Sequence, residues 1–127
     1  MHHNSVVQHA MNDNLVTPLY EREDGSAPGP FYVIKSRCIT CSLPTETAPD
    51  NIEYKPCKGC LQALPDHCAV TRQPETPEEL DRMIEVVAGS CVEAYRYCGT
   101  DAEILRRLID AGCKERCDAL VSNIPSA

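Results

Sequence analysis

Apolar residues fall into five short patterned stretches separated by polar, proline-rich chain. "FYVI", Phe31 to Ile34, is an aromatic and β-branched run bounded by Pro30 and Lys35, the composition of a strand. "CAVTR", Cys68 to Arg72, alternates and predicts another. The clearest helix lies in "TPEELDRMIEVVAG", where Leu80, Met83, Ile84 and Val87 recur at one-face spacing. Thr76 can cap it, Pro77 suits the first helical position, Glu79 completes a capping box, and Gly89 and Ser90 end it. "AYRY", 94 to 97, returns to an extended pattern. "DAEILRRLIDAG" predicts a second helix, opened by Thr100 with Glu103, buried along Ile104, Leu105, Leu108 and Ile109, and stopped by Gly112.

This order suits an α+β fold: a small antiparallel sheet with helices on one face, plus a C-terminal helix. Residues 31–35 and 92–97 are expected to be neighbouring strands, with Leu80 and Ile84 of the capped helix beneath them. The chain of 127 residues is long enough for one modest core. Residues 1–29 are polar and non-periodic and end in "EREDGSAPGP", which predicts a flexible arm. The folded domain is then 30–112, and 113–127 a tail.

Composition changes the picture at two points. The formal charge of −7 disfavours a sequence-independent grip on nucleic acid or on an anionic membrane, and suits docking to a basic protein surface or simply a solvated acidic one. Nine cysteines in a chain with one Phe and no Trp call for an explanation beyond packing. No apolar run has the length of a signal-peptide core or of the roughly 20 residues that span a bilayer, so a cytoplasmic location is expected. There thiols stay reduced, and clustered cysteines more often bind metal than pair.

Two cysteines separated by two residues in a tight turn can direct both sulfurs to one centre, and "CITC", Cys38 to Cys41, has that spacing. A second pair, Cys57 and Cys60 in "CKGC", completes C-x2-C-x15-C-x2-C, the spacing of a tetrahedral structural zinc site. Zinc bound there would stabilise a thin-cored interaction module directly, because metal binding becomes folding free energy. His67 beside Cys68 is read as a surface histidine, and Cys113 and Cys117 as part of an exposed, reducible tail. Cys98 is expected to be packed or unligated, and Arg106 and Arg107 to form a solvated helix face. There is no phosphate loop, nucleotide fingerprint or acid–base carboxylate pair, so neither an enzyme nor a small-molecule substrate is suggested.

The stretches around "CITC" also resemble bacterial single-cluster ferredoxins. "TETAPDNI" is similar to the segment after that family's third cysteine, with Ala48 and Pro49 where the fourth cysteine has become Ala and the Pro remains. "SCVEAYRY" is similar to the family's "CPVEAI", with Cys91 in the remote-ligand position; Pro44 stands in the place of the third cysteine and Val92 replaces a proline. The match covers roughly 31–97, with 53–67 inserted. It implies Cys38, Cys41 and Cys91 as ligands of a 3Fe–4S cluster. Cys68, at the start of a strand feeding the capped helix, is a candidate fourth ligand for a 4Fe–4S cluster, or else a packed core thiol. The implied function is an electron carrier or redox accessory acting with a protein partner. Zinc at Cys38, Cys41, Cys57 and Cys60, and a metal-free fold that keeps only the shape, remain as alternatives.

Overall fold

A computed structural model of the chain describes residues 15–35, 43–56, 66–89 and 94–121. Phe31–Val33 (β1) pairs antiparallel with Tyr95–Tyr97 (β4), with Phe31 opposite Tyr97, Tyr32 opposite Arg96 and Val33 opposite Tyr95. The ladder runs on at both ends, where the Cys98 N–H donates to Pro30 O (2.7 Å) and the Ile34 N–H to Ala94 O (2.8 Å). Ile52–Pro56 (β2) and Asp66–Val70 (β3) form a second antiparallel pair, with Ile52 opposite Val70 and Tyr54 opposite Cys68. The helices are Leu43–Thr47 (α1), Pro77–Gly89 (α2), Ala102–Asp110 (α3) and Asp118–Val121 (α4), with a 3-10 turn at Lys114–Arg116. The order through β4 is therefore β-α-β-β-α-β, and the fold is a small α+β one. None of these helices is long and apolar enough to cross a membrane.

The apolar stripe of α2 explains how the two ladders are joined. Leu80, Met83, Ile84 and Val87 are buried in one cluster with Phe31 and Val33 of β1, Val70 of β3 and Tyr97 of β4. Each such side chain contributes roughly 1.5–3 kcal/mol when fully buried, so this stripe is the main apolar contribution of the helix. β1 also lies against β3. The backbone edge of β1 that faces away from β4 is not left bare. Gln73 reaches it with its side-chain amide: Oε1 accepts from the Phe31 N–H (3.1 Å) and Nε2 donates to Phe31 O (2.9 Å). A buried backbone pair is thereby satisfied without a further strand.

The helix ends follow capping chemistry with two shifts from expectation. Thr76 Oγ1 accepts from the Glu79 N–H (3.1 Å), as a cap should. The Glu79 carboxylate, however, accepts from the Glu75 N–H (2.9 Å), one residue before the expected donor. At α3 the cap is Asp101 rather than Thr100; its Oδ1 accepts from both the Glu103 and Ile104 N–H groups at 3.0 Å. The stripe of α3 is also narrower: Ile104 and Leu108 are buried, Leu105 is partly so, and Ile109 faces solvent. Gly112, at φ +83°, ends the helix in a Schellman turn, with its N–H donating to Ile109 O and the Cys113 N–H to Leu108 O.

Two larger differences concern the chain ends. Of the expected arm, residues 15–29 pack on the body: the Val16 N–H donates to Cys98 O, the Glu23 N–H to Val33 O and the Lys35 N–H to Glu21 O. Of the expected tail, residues 113–121 wrap back over β4, where Cys117 bridges Tyr97. Both stretches are held by backbone bonds and single buried side chains, which leave no periodic trace in sequence. The segment read as irregular likewise contains α1 and β2. Pro44 lies in the first turn of α1, a position its ring favours, and Ala48 just after it is fully buried.

Candidate functional site

The cysteines divide into two groups. Cys68, Cys98, Cys113 and Cys117 are all buried. Cys68 is fully enclosed on β3, in the same apolar cluster as Ile52, Val70 and Met83. Cys98 sits in a smaller cluster with Tyr32 and Ile34, its sulfur 3.6 Å from Arg22 NH2 and 3.7 Å from Gly29 O. Burial pushes its thiol up from the usual 9.0 to about 11, against the pull of Arg22. Cys117 is pushed up to about 12, again chiefly by burial and then by neighbouring Cys113, whose own thiol is raised by burial. The expected exposed, reducible pair at 113 and 117 is therefore two buried core thiols, whose protonated form burial favours.

Of the four expected ligands, Cys38, Cys41 and Cys91 lie outside the described residues, as do Cys57 and Cys60, and Cys68 is the one within them. What the fold does position is the chain on either side of those segments. Lys35 ends the described chain before Cys38 and Cys41, and Ala94 begins it again after Cys91. The β1–β4 register sets these two ends side by side, through the Ile34 to Ala94 bond and Val33 opposite Tyr95.

The β2–β3 pair is oriented to the same end. Lys35 Nζ is 2.7 Å from Asp24 Oδ1, a contact that raises the lysine's pKa. The next residue, Gly25, turns at φ +84° against Lys55, so close that a Cβ there would stand 3.1 Å from Lys55 Cγ. Lys55 and Pro56 lead into the connection that carries Cys57 and Cys60. Lys35 and Lys55 thus both reach the Asp24–Gly25 turn, and Ala94 lies against the first through its bond to Ile34. Cys68, on the core-facing side of β3 opposite Tyr54, is two residues in from the start of that strand.

Among the described residues no group of three or more His, Cys, Asp or Glu side chains is arranged to hold a metal. Two polar clusters do stand out. In the first, Asp118 is fully buried: Oδ1 accepts from Arg96 Nε (2.6 Å), while Oδ2 accepts from the Leu19 N–H (3.1 Å) and from the Tyr32 hydroxyl. Arg96 also donates to Glu115 O (2.9 Å), and burial followed by the bond to Asp118 raises the Tyr32 pKa. In the second, Glu79 accepts from Asn51 Nδ2 (3.2 Å) and Arg72 NH2 (3.0 Å) at the start of α2. Sequence reasoning singled out neither Asp118 nor Arg96; the one available signal was an unusual charged residue, Arg96, inside the apolar "AYRY" run.

No protein-family model matches the chain, and neither a curated protein nor a solved structure does.

Proposed function

We propose that the chain is a small metal-binding redox protein, in which Cys38, Cys41 and Cys91, with Cys68 as fourth donor, hold an iron–sulfur cluster that passes single electrons to a protein partner. The observation that carries this reading is the β1–β4 register, which sets Lys35 beside Ala94. Cys38 lies three residues beyond the first and Cys91 three residues before the second, and three residues span at most about 10 Å of extended chain. Both thiols are thus tethered close to one point. The β-α-β-β-α-β order is that of ferredoxin-like folds, which agrees with the resemblance around "CITC" and "SCVEAYRY".

Soft thiolates are the ligands that iron–sulfur clusters take, so the proposed donor set suits the group in its chemistry. When bound, the cluster would supply one-electron transfer. The chain's own contribution would be to anchor both segments to one ladder, whose Phe31, Val33 and Tyr95 belong to the water-excluding core. Cys68 is enclosed in the apolar cluster, so it also contributes to the core as a packed thiol. The net charge of −7 favours a partner with a basic face.

A second reading, zinc held by Cys38, Cys41, Cys57 and Cys60, is favoured by the contact of Gly25 with Lys55, which draws the end of β2 toward the end of β1. Serine substitutions separate the two. Under the iron–sulfur reading, Cys91→Ser abolishes the visible chromophore and a Cys57→Ser, Cys60→Ser double variant keeps it. Loss of bound metal in the double variant, with Cys91→Ser unaffected, would establish the zinc site instead.

A further inference from the structure

The geometry points to Asp118 as a positioning residue for the metal-binding pole, an inference that rests on the reading above. Tyr32 and Arg96 face each other across β1 and β4, and one carboxylate joins them: Oδ2 accepts from the Tyr32 hydroxyl and Oδ1 from Arg96 Nε. The three residues are at most 6 % exposed, so water does not compete for these bonds. A cross-strand pair bridged in this way cannot slip without stranding a buried charge, because a shift of one residue turns every side chain to the opposite face. Next along the ladder come Val33 opposite Tyr95 and Ile34 bonded to Ala94, and then the two segments that carry Cys38 and Cys91.

Asp118 belongs to neither strand. It opens α4, eight residues past the helix α3, and is delivered by the Gly112 turn and by the Cys117 bridge to Tyr97. Its second partner on Oδ2 is the Leu19 N–H, so the same carboxylate also ties down the N-terminal segment. The C-terminal strap thereby acts as an external clamp on the register from which the proposed ligand segments depart. A clamp at this place governs how firmly metal is held, and does so without touching it.

The test uses the full chain and its Asp118→Asn, Tyr32→Phe and Glu79→Gln variants, loaded anaerobically with iron and sulfide, or with zinc alone if the wild type takes up only zinc. Loss of metal to excess EDTA is timed at a temperature where far-ultraviolet circular dichroism shows each variant folded. Asp118→Asn should release metal about tenfold faster or more, the consequence of breaking a buried charged pair. Tyr32→Phe should fall between it and the wild type, and Glu79→Gln, which alters the other polar cluster, should release at the wild-type rate. Equal acceleration in Glu79→Gln would mean general destabilisation and would overturn the proposal, as would an unchanged rate in Asp118→Asn.

Amide hydrogen exchange gives a readout that needs no metal. Asp118→Asn should lose protection at the Ile34 and Cys98 amides, which span the β1–β4 ladder, while the hairpin amides of β2 and β3 keep theirs. Unchanged protection at Ile34 and Cys98 defeats the clamp even if the metal site is real. A wild type that binds neither metal defeats the functional reading alone, and the exchange pattern then decides the clamp. Should Asp118→Asn fail to fold, Tyr32→Phe carries both measurements, since it removes one hydroxyl and keeps the ring.

Discussion

The two polar clusters differ in what they join and in how much water reaches them. The Asp118 cluster is almost fully enclosed, with side chains of 7 % and 0 % exposure in its ion pair, and links residues 19, 32, 96 and 118. The Glu79 cluster pairs a carboxylate with an Arg72 side chain that is 43 % exposed, and links residues 51, 72, 75 and 79. The first holds the ladder at the proposed metal pole by means of the chain ends; the second dresses the start of a helix that the apolar core already fixes. The stretches that look most dispensable in sequence therefore hold the β1–β4 ladder together.

The largest expected effect is at Asp118. Asp118→Ala strands Arg96 in a dry site and should cost about 3–5 kcal/mol in denaturant unfolding. Glu79→Ala removes a buried carboxylate whose partner Arg72 is 43 % exposed, together with the bond to the Glu75 N–H, and should cost about 1–2 kcal/mol. Similar costs for the two would mean that both clusters support the fold equally.

Next in size is the turn that delivers the strap. Gly112 sits at φ +83°, and a Cβ there meets nothing within 4 Å, so the cost of Gly112→Ala is purely conformational. About 1 kcal/mol is expected in the same unfolding experiment. Gly89→Ala, at an ordinary φ and also in open space, should be neutral or slightly stabilising.

The two regions should also titrate at opposite ends of the pH scale. Cys98 and Cys117 have folded pKa values raised to about 11 and about 12 by burial. Their contribution is fully present below the usual 9.0 and is lost as pH rises from there through the folded values. Burial alone would raise Glu79, but the Glu75 N–H, Asn51 and Arg72 outweigh it and hold the carboxyl below its usual 4.5. That contribution is present above the unfolded value and is lost as pH falls through the lower folded one. Chemical denaturation across pH should show the alkaline loss in the wild type and in Glu79→Gln alike, with the acid loss reduced only in Glu79→Gln.

The smallest effect is expected on the outer face of α3. Arg106 bridges Glu103 and Asp110 with all three side chains about half exposed or more. Arg106→Ala should change stability by no more than about 0.5 kcal/mol, and by less in high salt. A larger change would mean that this face is part of the architecture, and not the solvated surface the sequence suggests.

The elements that could be read from sequence are those whose burial repeats. The stripe from Leu80 to Val87 and the pairing of residues 31–35 with the "AYRY" strand are both present, because one-face spacing and β-branched composition report burial directly. What escaped was set by single contacts. α1 is five residues long, too short for a period to show, although Pro44 and Glu46 in its first turn were a usable signal. β2 was hidden in an apparent insertion, with only Ile52 and Tyr54 to suggest alternation. Asp118 reads as one more acidic residue, and nothing in its neighbourhood announces that it is fully buried. Cys98, expected to be packed or unligated, is buried; for Cys113 and Cys117 the position after Gly112 suggests an exposed tail, and only the return of the chain over β4 assigns them to the core.

Whether Cys38, Cys41 and Cys91 hold an iron–sulfur cluster is decided by purifying the full chain without oxygen, recording its visible spectrum and assaying iron, acid-labile sulfide and zinc on the same sample. A brown protein with stoichiometric iron and sulfide is the predicted result. A colourless protein with one zinc per chain, or with no metal, would contradict it.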